Sequence, residues 1–348
     1  MNAARGKASS GVAGEWPRLW AVLLTDSVIY GASRYLGVLS STILTPVYTR
    51  LLTKADYGLM DVFVTWNTFA SMVLPLGLPT AVLRYAGQAP GDGAALRTIR
   101  TMFSMILIGA IAYVVLLVPV QAAFYDLFSI EGTTREIYIE SLLIVALTCI
   151  YSFQQSLLRA QGRKYVFASL AVTNLVVTTV LGFVLVYVYR HGVVGFFRAS
   201  LTGLAVTCAL ALPACGRSLG FELHRADAVR VLRYSLPLVG VFLLFQISNV
   251  INRILITNFL SLSQAGIYAI ASRIVTPLSI IVASFGMAWF PYAMSKRDDP
   301  LAAGIYSRVL AGYVGGTAVL FALLALFRRE IIAVFAPGYG ESYGLAAT

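Results

Sequence analysis

The chain has 348 residues, a mean hydropathy of +0.81 and only 12% charged residues, where a soluble domain carries about 25%. That balance excludes a water-soluble globular protein and implies an integral membrane protein. The net charge of +11 does not signal nucleic acid, because no basic run with interleaved aromatics stands outside the apolar stretches, and membrane proteins keep Lys and Arg in cytoplasmic loops.

Residues 1–26 are polar and small and read as a cytoplasmic N-terminal segment. No small-residue cleavage site follows a short apolar core, so the first apolar span is expected to stay in the mature protein. Nine runs then reach the roughly 20 residues that a helix needs to cross a bilayer. They are Ser27–Thr49, Tyr57–Val82, Thr101–Tyr125, Ile137–Leu158, Tyr165–Tyr189, Val193–Ala214, Tyr234–Asn258, Ala265–Met294 and Tyr306–Phe327. The runs are continuous rather than alternating, which argues for helices over barrel strands. The expected fold is an all-α polytopic helical bundle. With the N-terminus inside, sixteen Lys and Arg fall in inner segments and seven in outer ones, and that asymmetry sets the orientation.

The segment Thr49-Arg-Leu-Leu-Thr-Lys-Ala-Asp-Tyr-Gly-Leu59 returns without a gap, 208 residues later, as Thr257-Asn-Phe-Leu-Ser-Leu-Ser-Gln-Ala-Gly-Ile267. Each copy closes one apolar run and opens another, as expected of a chain built from two similar halves. The longest inner connection, residues 216–233, falls between the copies. It divides an N-terminal lobe of six spans (27–215) from a C-terminal lobe (234–348) of three spans and the start of a fourth. The second lobe therefore reads as incomplete, and the chain as a possible piece of a longer protein.

Charges inside hydrocarbon cost roughly 3 kcal/mol each on insertion scales, so each calls for a reason. Arg253 lies well inside the seventh span, and Gln246, Asn249, Arg253 and Thr257 share one helical face, with Asn252 flanking it. The first span carries a matching stripe of Arg34, Ser41, Thr45 and Thr49, in which the repeat offset puts Ser41 on Asn249 and Thr45 on Arg253. These stripes are expected to face each other across a hydrated cavity. Arg273 lies inside the eighth span. Snorkelling toward the interface is the alternative for Arg34, Arg253 and Arg273. Arginine suits an anionic ligand, because its fork of donors matches phosphate oxygens, and Asp26 and Asp61 read as lying near span ends.

Pro46, Pro75, Pro79, Pro237 and Pro277 interrupt the spans, where proline kinks a helix. Gly312 and Gly316 form a Gly-x-x-x-Gly pair, expected to mark close helix contact. Cys149, Cys208 and Cys215 form neither a metal site nor a disulfide framework, and His191 and His224 stand far apart. No P-loop and no catalytic constellation is present, so the chain reads as a non-enzyme with no metal or cofactor.

The stretch Leu44-Thr-Pro-Val-Tyr-Thr-Arg-Leu-Leu-Thr-Lys-Ala-Asp-Tyr-Gly-Leu59, followed by Leu76-Gly-Leu-Pro-Thr-Ala-Val-Leu-Arg-Tyr85, resembles the oligosaccharide (Wzx-type) flippases of polysaccharide biosynthesis. These belong to the multidrug/oligosaccharidyl-lipid/polysaccharide exporter superfamily. Ser261-Leu-Ser-Gln-Ala-Gly-Ile-Tyr268 is similar to that family's second-half echo, and Ile331-Ile-Ala-Val-Phe-Ala-Pro-Gly-Tyr339 to the turn before its tenth helix. The resemblance implies a two-lobed bundle working by alternating access in the bacterial cytoplasmic membrane. The implied cargo is an undecaprenyl-pyrophosphate-linked oligosaccharide. Arg34, Arg253 and Arg273 would contact its pyrophosphate or acidic sugars, and Ser41, Thr45, Gln246, Asn249 and Asn252 would line the same path. Membrane lipids are the expected surroundings, with a polysaccharide polymerase and a chain-length regulator as further partners. Other readings are a multidrug exporter of the same superfamily, which would want cavity carboxylates, a membrane scaffold of polymer assembly, and a membrane glycosyltransferase, which would want large polar outer loops.

Overall fold

The computed structural model describes residues 44–86, 93–130, 135–273, 275 and 302–336. Among the described residues there is no strand. The helices are α1 (44–51), α2 (Lys54–Val73), α3 (Leu78–Ala86), α4 (Gly93–Leu117), α5 (Gln121–Leu127), α6 (Arg135–Ala160), α7 (Lys164–Phe183), α8 (Gly192–Cys215), α9 (Arg225–Phe259), α10 (262–273), α11 (Ala302–Leu326) and α12 (Arg328–Phe335). Six described helical segments are long and apolar enough to cross a membrane. They match the second to sixth and the ninth predicted spans. The seventh lies inside α9, a single helix of 35 residues. The eighth opens with α10, and the first falls outside the described residues up to residue 43.

The second predicted span is broken. Its helix stops at Val73 and resumes at Leu78, with Pro75 in the intervening turn and Leu76 and Gly77 at φ 51° and 72°. Proline cannot continue the hydrogen-bond ladder, and Gly77 tolerates the left-handed backbone that resumption requires. A Cβ on Gly77 would also stand 2.7 Å from the Ser235 carbonyl oxygen of α9. Pro237, by contrast, sits inside α9 without ending it. Within the predicted connection 216–233, a 3-10 turn (Gly216–Ser218) and an irregular stretch lead into α9, which begins at Arg225.

Two compact units emerge, with the division falling inside α2 and α9. The first contains Thr65–Tyr125 and Gly132–Ile251. Its centre is α6, half of whose membrane-length window is buried. Val145, Cys149, Phe153, Leu157 and Leu158 of α6 pack with Met102 and Ile106 of α4, Phe167 of α7, and Ala211 and Cys215 of α8. All three cysteines are free and buried. The polar groups within this apolar body find partners close by. Thr98, Thr148, Ser200 and Thr207 donate to carbonyls one turn back, and Gln154 donates to the Cys208 carbonyl at 3.2 Å, as groups cut off from water must. Exposed Val172, Val176 and Val180 form a ridge on α7, the surface that lipid would cover.

Polar contacts to α4 hold the connection before α9, and a buried carboxylate in the first turn of α9 adds to them. Asp227, 4% exposed, accepts from Arg97 Nε at 3.0 Å and Arg230 Nη2 at 2.9 Å, and His224 Nδ1 lies 3.4 Å away. Arg84 stacks 4.3 Å from the ring centre of Tyr234. The second unit contains Thr42–Val64, Asp126–Glu131 and Asn252–Thr348 and carries the cluster described next.

Candidate functional site

The repeat has a physical meaning in the second unit. Thr53 stands before α2, where Asp56 N donates to Thr53 Oγ1 at 3.1 Å and Thr53 N donates back to Asp56 Oδ2 at 3.2 Å. This is a capping box, which satisfies amides that the first helical turn leaves unpaired. Ser261 occupies the equivalent place before α10 and accepts from Gln264 N at 3.2 Å. Thr53 and Ser261, like Asp56 and Gln264, are separated by the repeat offset of 208.

Five residues after each cap stands a glycine, and the two face each other. A Cβ on Gly58 would fall 1.9 Å from the Leu262 carbonyl oxygen, and one on Gly266 would fall 2.2 Å from the Lys54 carbonyl oxygen. Leu262 is the repeat equivalent of Lys54, so the contact is reciprocal, as a local two-fold relation between α2 and α10 requires. The close helix contact expected at Gly312 and Gly316 does not form among the described residues: a Cβ at either would meet nothing within 4 Å. The repeat glycines supply such a contact instead.

Beside this crossing lies a polar cluster drawn from α1, α2, α9 and α10. Arg253 and Asp61, each 8% exposed, form an ion pair with Arg253 Nε 2.9 Å from Asp61 Oδ2. The guanidinium carbon of Arg253 stands 4.8 Å from the centre of the Tyr268 ring, within cation–π range. Arg273 donates from Nη1 to Thr45 Oγ1 at 3.3 Å and lies 5.6 Å from the Tyr57 ring centre. Thr49 and Thr257 hold equivalent positions and donate to the carbonyls of Thr45 and Arg253 at 3.0 and 2.9 Å. The named charges are two guanidiniums and one carboxylate. Losing either partner of the buried pair would leave an uncompensated charge, at a cost of about 3–5 kcal/mol.

The expected site residues are thus dispersed. Arg34 and Ser41 lie outside the described residues. Thr45, Arg253 and Arg273 come together in the second unit, where Thr45 meets α10 and Arg253 meets α2. Thr45 and Arg253 are buried, at 4% and 8% exposure. Asn252 is half-buried. Gln246 and Asn249 fall in the first unit, where Asn249 is exposed and donates to Gln246 Oε1 at 3.0 Å. Asp61 had read as a residue near a span end, yet it lies at the eighth position of α2, buried against a cation. Its place inside an apolar run, about two turns past Thr53, was the signal available in the sequence. Among the described residues no group of His, Cys, Asp and Glu could hold a metal ion.

Comparisons with known proteins place this geometry. Residues 23–296 match the family profile described as "Polysaccharide biosynthesis protein". The chain belongs to that family. No curated protein matches the sequence. Among solved structures, an inward-facing multidrug resistance MATE family transporter of the MOP superfamily is similar over 91% of this chain and 76% of its own, at 17% identity and a TM-score of 0.69. A MATE protein in the straight conformation is similar over 93% and 77%, at 15% identity and a TM-score of 0.64. A Vibrio cholerae MATE transporter is similar over 94% and 78%, at 16% identity and a TM-score of 0.62. At these identities the likeness is one of fold, and it bears out the all-α polytopic bundle expected from the sequence. The chain is a multi-pass membrane protein of the polysaccharide biosynthesis family with a MATE-like fold.

Proposed function

We propose that this protein flips an undecaprenyl-pyrophosphate-linked oligosaccharide from the inner to the outer leaflet of a bacterial cytoplasmic membrane, by alternating access. The observation that carries this reading is the pair of guanidiniums, Arg253 and Arg273, held between helices of both repeats in a polysaccharide biosynthesis protein. A guanidinium stays charged in an apolar setting and matches phosphate oxygens with paired donors. Arg34, Ser41 and Thr45 on the first span, with Gln246, Asn249 and Asn252 on α9, would contribute polar contacts to the sugar. A polymerase and a chain-length regulator would take the cargo up on the far side.

Multidrug export is the second reading, favoured by the MATE fold and by the buried Asp61 carboxylate. That carboxylate is committed to Arg253, so a cationic drug would have to displace an internal cation first. Cells deleted for the gene separate the readings. The full chain should restore surface polymer, and Arg273→Ala at equal membrane level should not, with lipid-linked oligosaccharide accumulating instead. Restored efflux of a cationic dye, with no effect on polymer, would overturn the flippase reading in favour of drug export.

A further inference from the structure

The use that Arg253 makes of its own donors points beyond a simple ion pair. Asp61 Oδ2 takes the Nε proton at 2.9 Å, and Tyr268 covers a ring-stacking face at 4.8 Å. The terminal nitrogens Nη1 and Nη2 form no hydrogen bond among the described residues, although the residue is 8% exposed. Four N–H donors therefore make no hydrogen bond among the described residues, and they sit on the edge of the guanidinium that keeps some exposure, with 10% of the side chain accessible. The free edge is the one whose two parallel N–H groups fit two oxygens of one phosphate. An ion pair built only to join α2 to α9 would gain most by engaging both carboxylate oxygens, and here a single nitrogen is engaged.

We propose that Asp61 is a positioning residue: it holds Arg253 by the Nε edge so that the Nη1/Nη2 edge is presented to a phosphate oxyanion of the cargo. This rests on the flippase reading above and adds to it a specificity device. Asp61 does not touch the cargo. It fixes the direction of the cation, with the Tyr268 ring limiting rotation of the guanidinium plane. Arg273, anchored on Thr45 Oγ1, supplies a second guanidinium in the same unit, so two linked phosphates should be preferred over one.

The test uses the full chain purified in detergent, with farnesyl pyrophosphate and farnesyl monophosphate as probes, and reads both affinities and their ratio. Arg253→Ala should weaken farnesyl pyrophosphate binding by about tenfold or more, the equivalent of a lost charge-assisted contact. Asp61→Ala should lower the preference for pyrophosphate several-fold, and Asp61→Glu, which keeps a carboxylate, should restore it. Arg253→Lys, which keeps the charge without the fork, should flatten the ratio as Asp61→Ala does. If Asp61→Ala gives no folded protein, the isosteric Asp61→Asn decides by the same ratio. A wild-type ratio in the folded Asp61 variant, alongside lost binding in Arg253→Ala, would overturn the positioning role and leave the flippase reading standing. Wild-type binding by Arg253→Ala would overturn the contact with the anion itself.

Discussion

Placing a methyl group at the glycine crossing should be costly. A Cβ on Gly58 would lie 1.9 Å from the Leu262 carbonyl oxygen and 2.9 Å from Gly266 N. Such contacts essentially never fall under 3.0 Å, so α10 must retreat by more than 1 Å. The obstacle is backbone on both sides, and no side-chain rotation relieves it. Overpacking of this kind costs about 3 kcal/mol at the upper end of its usual range. Alanine recovers about 1 kcal/mol through helix propensity, since both glycines lie in helices. The net loss for Gly58→Ala is then about 2 kcal/mol, or about thirtyfold in the folded-to-unfolded ratio. Gly266→Ala should behave alike, because its Cβ meets the Lys54 carbonyl oxygen at 2.2 Å. The same retreat accommodates both methyl groups, so the double variant should cost little more than either single one, a coupling of about 1–2 kcal/mol. Thermal denaturation in detergent reads the effect, with Gly240→Ala as control, since a Cβ there meets nothing within 4 Å. Stability equal to wild type in both single variants, or strict additivity in the double, would refute the reciprocal contact.

Other outcomes follow from the same packing. Gly77→Ala combines a φ of +72° with a carbonyl oxygen at 2.7 Å, so it should lower the melting temperature more than Gly240→Ala, by about 1–3 kcal/mol in stability. Thr53→Ala and Ser261→Ala each remove a helix cap and should cost about 1 kcal/mol apiece in the same melts. Asp227→Asn weakens the anchor shared by Arg97 and Arg230, so limited proteolysis between Gly216 and His224 should accelerate while α6 stays protected. Cysteine placed at residue 249 should react with a water-soluble maleimide and at residue 45 should not, given an exposed Asn249 and a Thr45 only 4% exposed; the buried native cysteines keep the background low.

The bundle was legible in the sequence because twenty-residue apolar runs have few alternatives in lipid. The repeat was legible too, down to the identity of Gly58 and Gly266, but its purpose was not. The two helix caps read as Thr-x-x-Asp and Ser-x-x-Gln, which share no identical residue. The reciprocal glycine contact depends on how α2 and α10 cross, and spacing along one helix does not encode that. The broken second span was half visible: Pro75 and Pro79 marked the interruption, while the left-handed pair Leu76 and Gly77 gave no sequence signal apart from the glycine. The Gly312/Gly316 pair meets no neighbour among the described residues, since small residues at that spacing permit close contact without requiring it. Asp61 was the hardest to read. It pairs with Arg253 across 192 residues, and the repeat offset aligns it with Ala269 rather than with any charge, so comparison of the halves pointed elsewhere.

The central claim is that the cargo is a lipid-linked sugar whose phosphates engage Arg253 and Arg273. Translocation in vesicles reconstituted with the full chain tests it most directly, using undecaprenyl-pyrophosphate-linked oligosaccharide confined at first to the inner leaflet and a lectin outside. The account predicts lectin binding that grows with time in wild-type vesicles and stays at the protein-free level with Arg273→Ala. Equal growth in both, or none in the wild type while a cationic dye is moved, would contradict it.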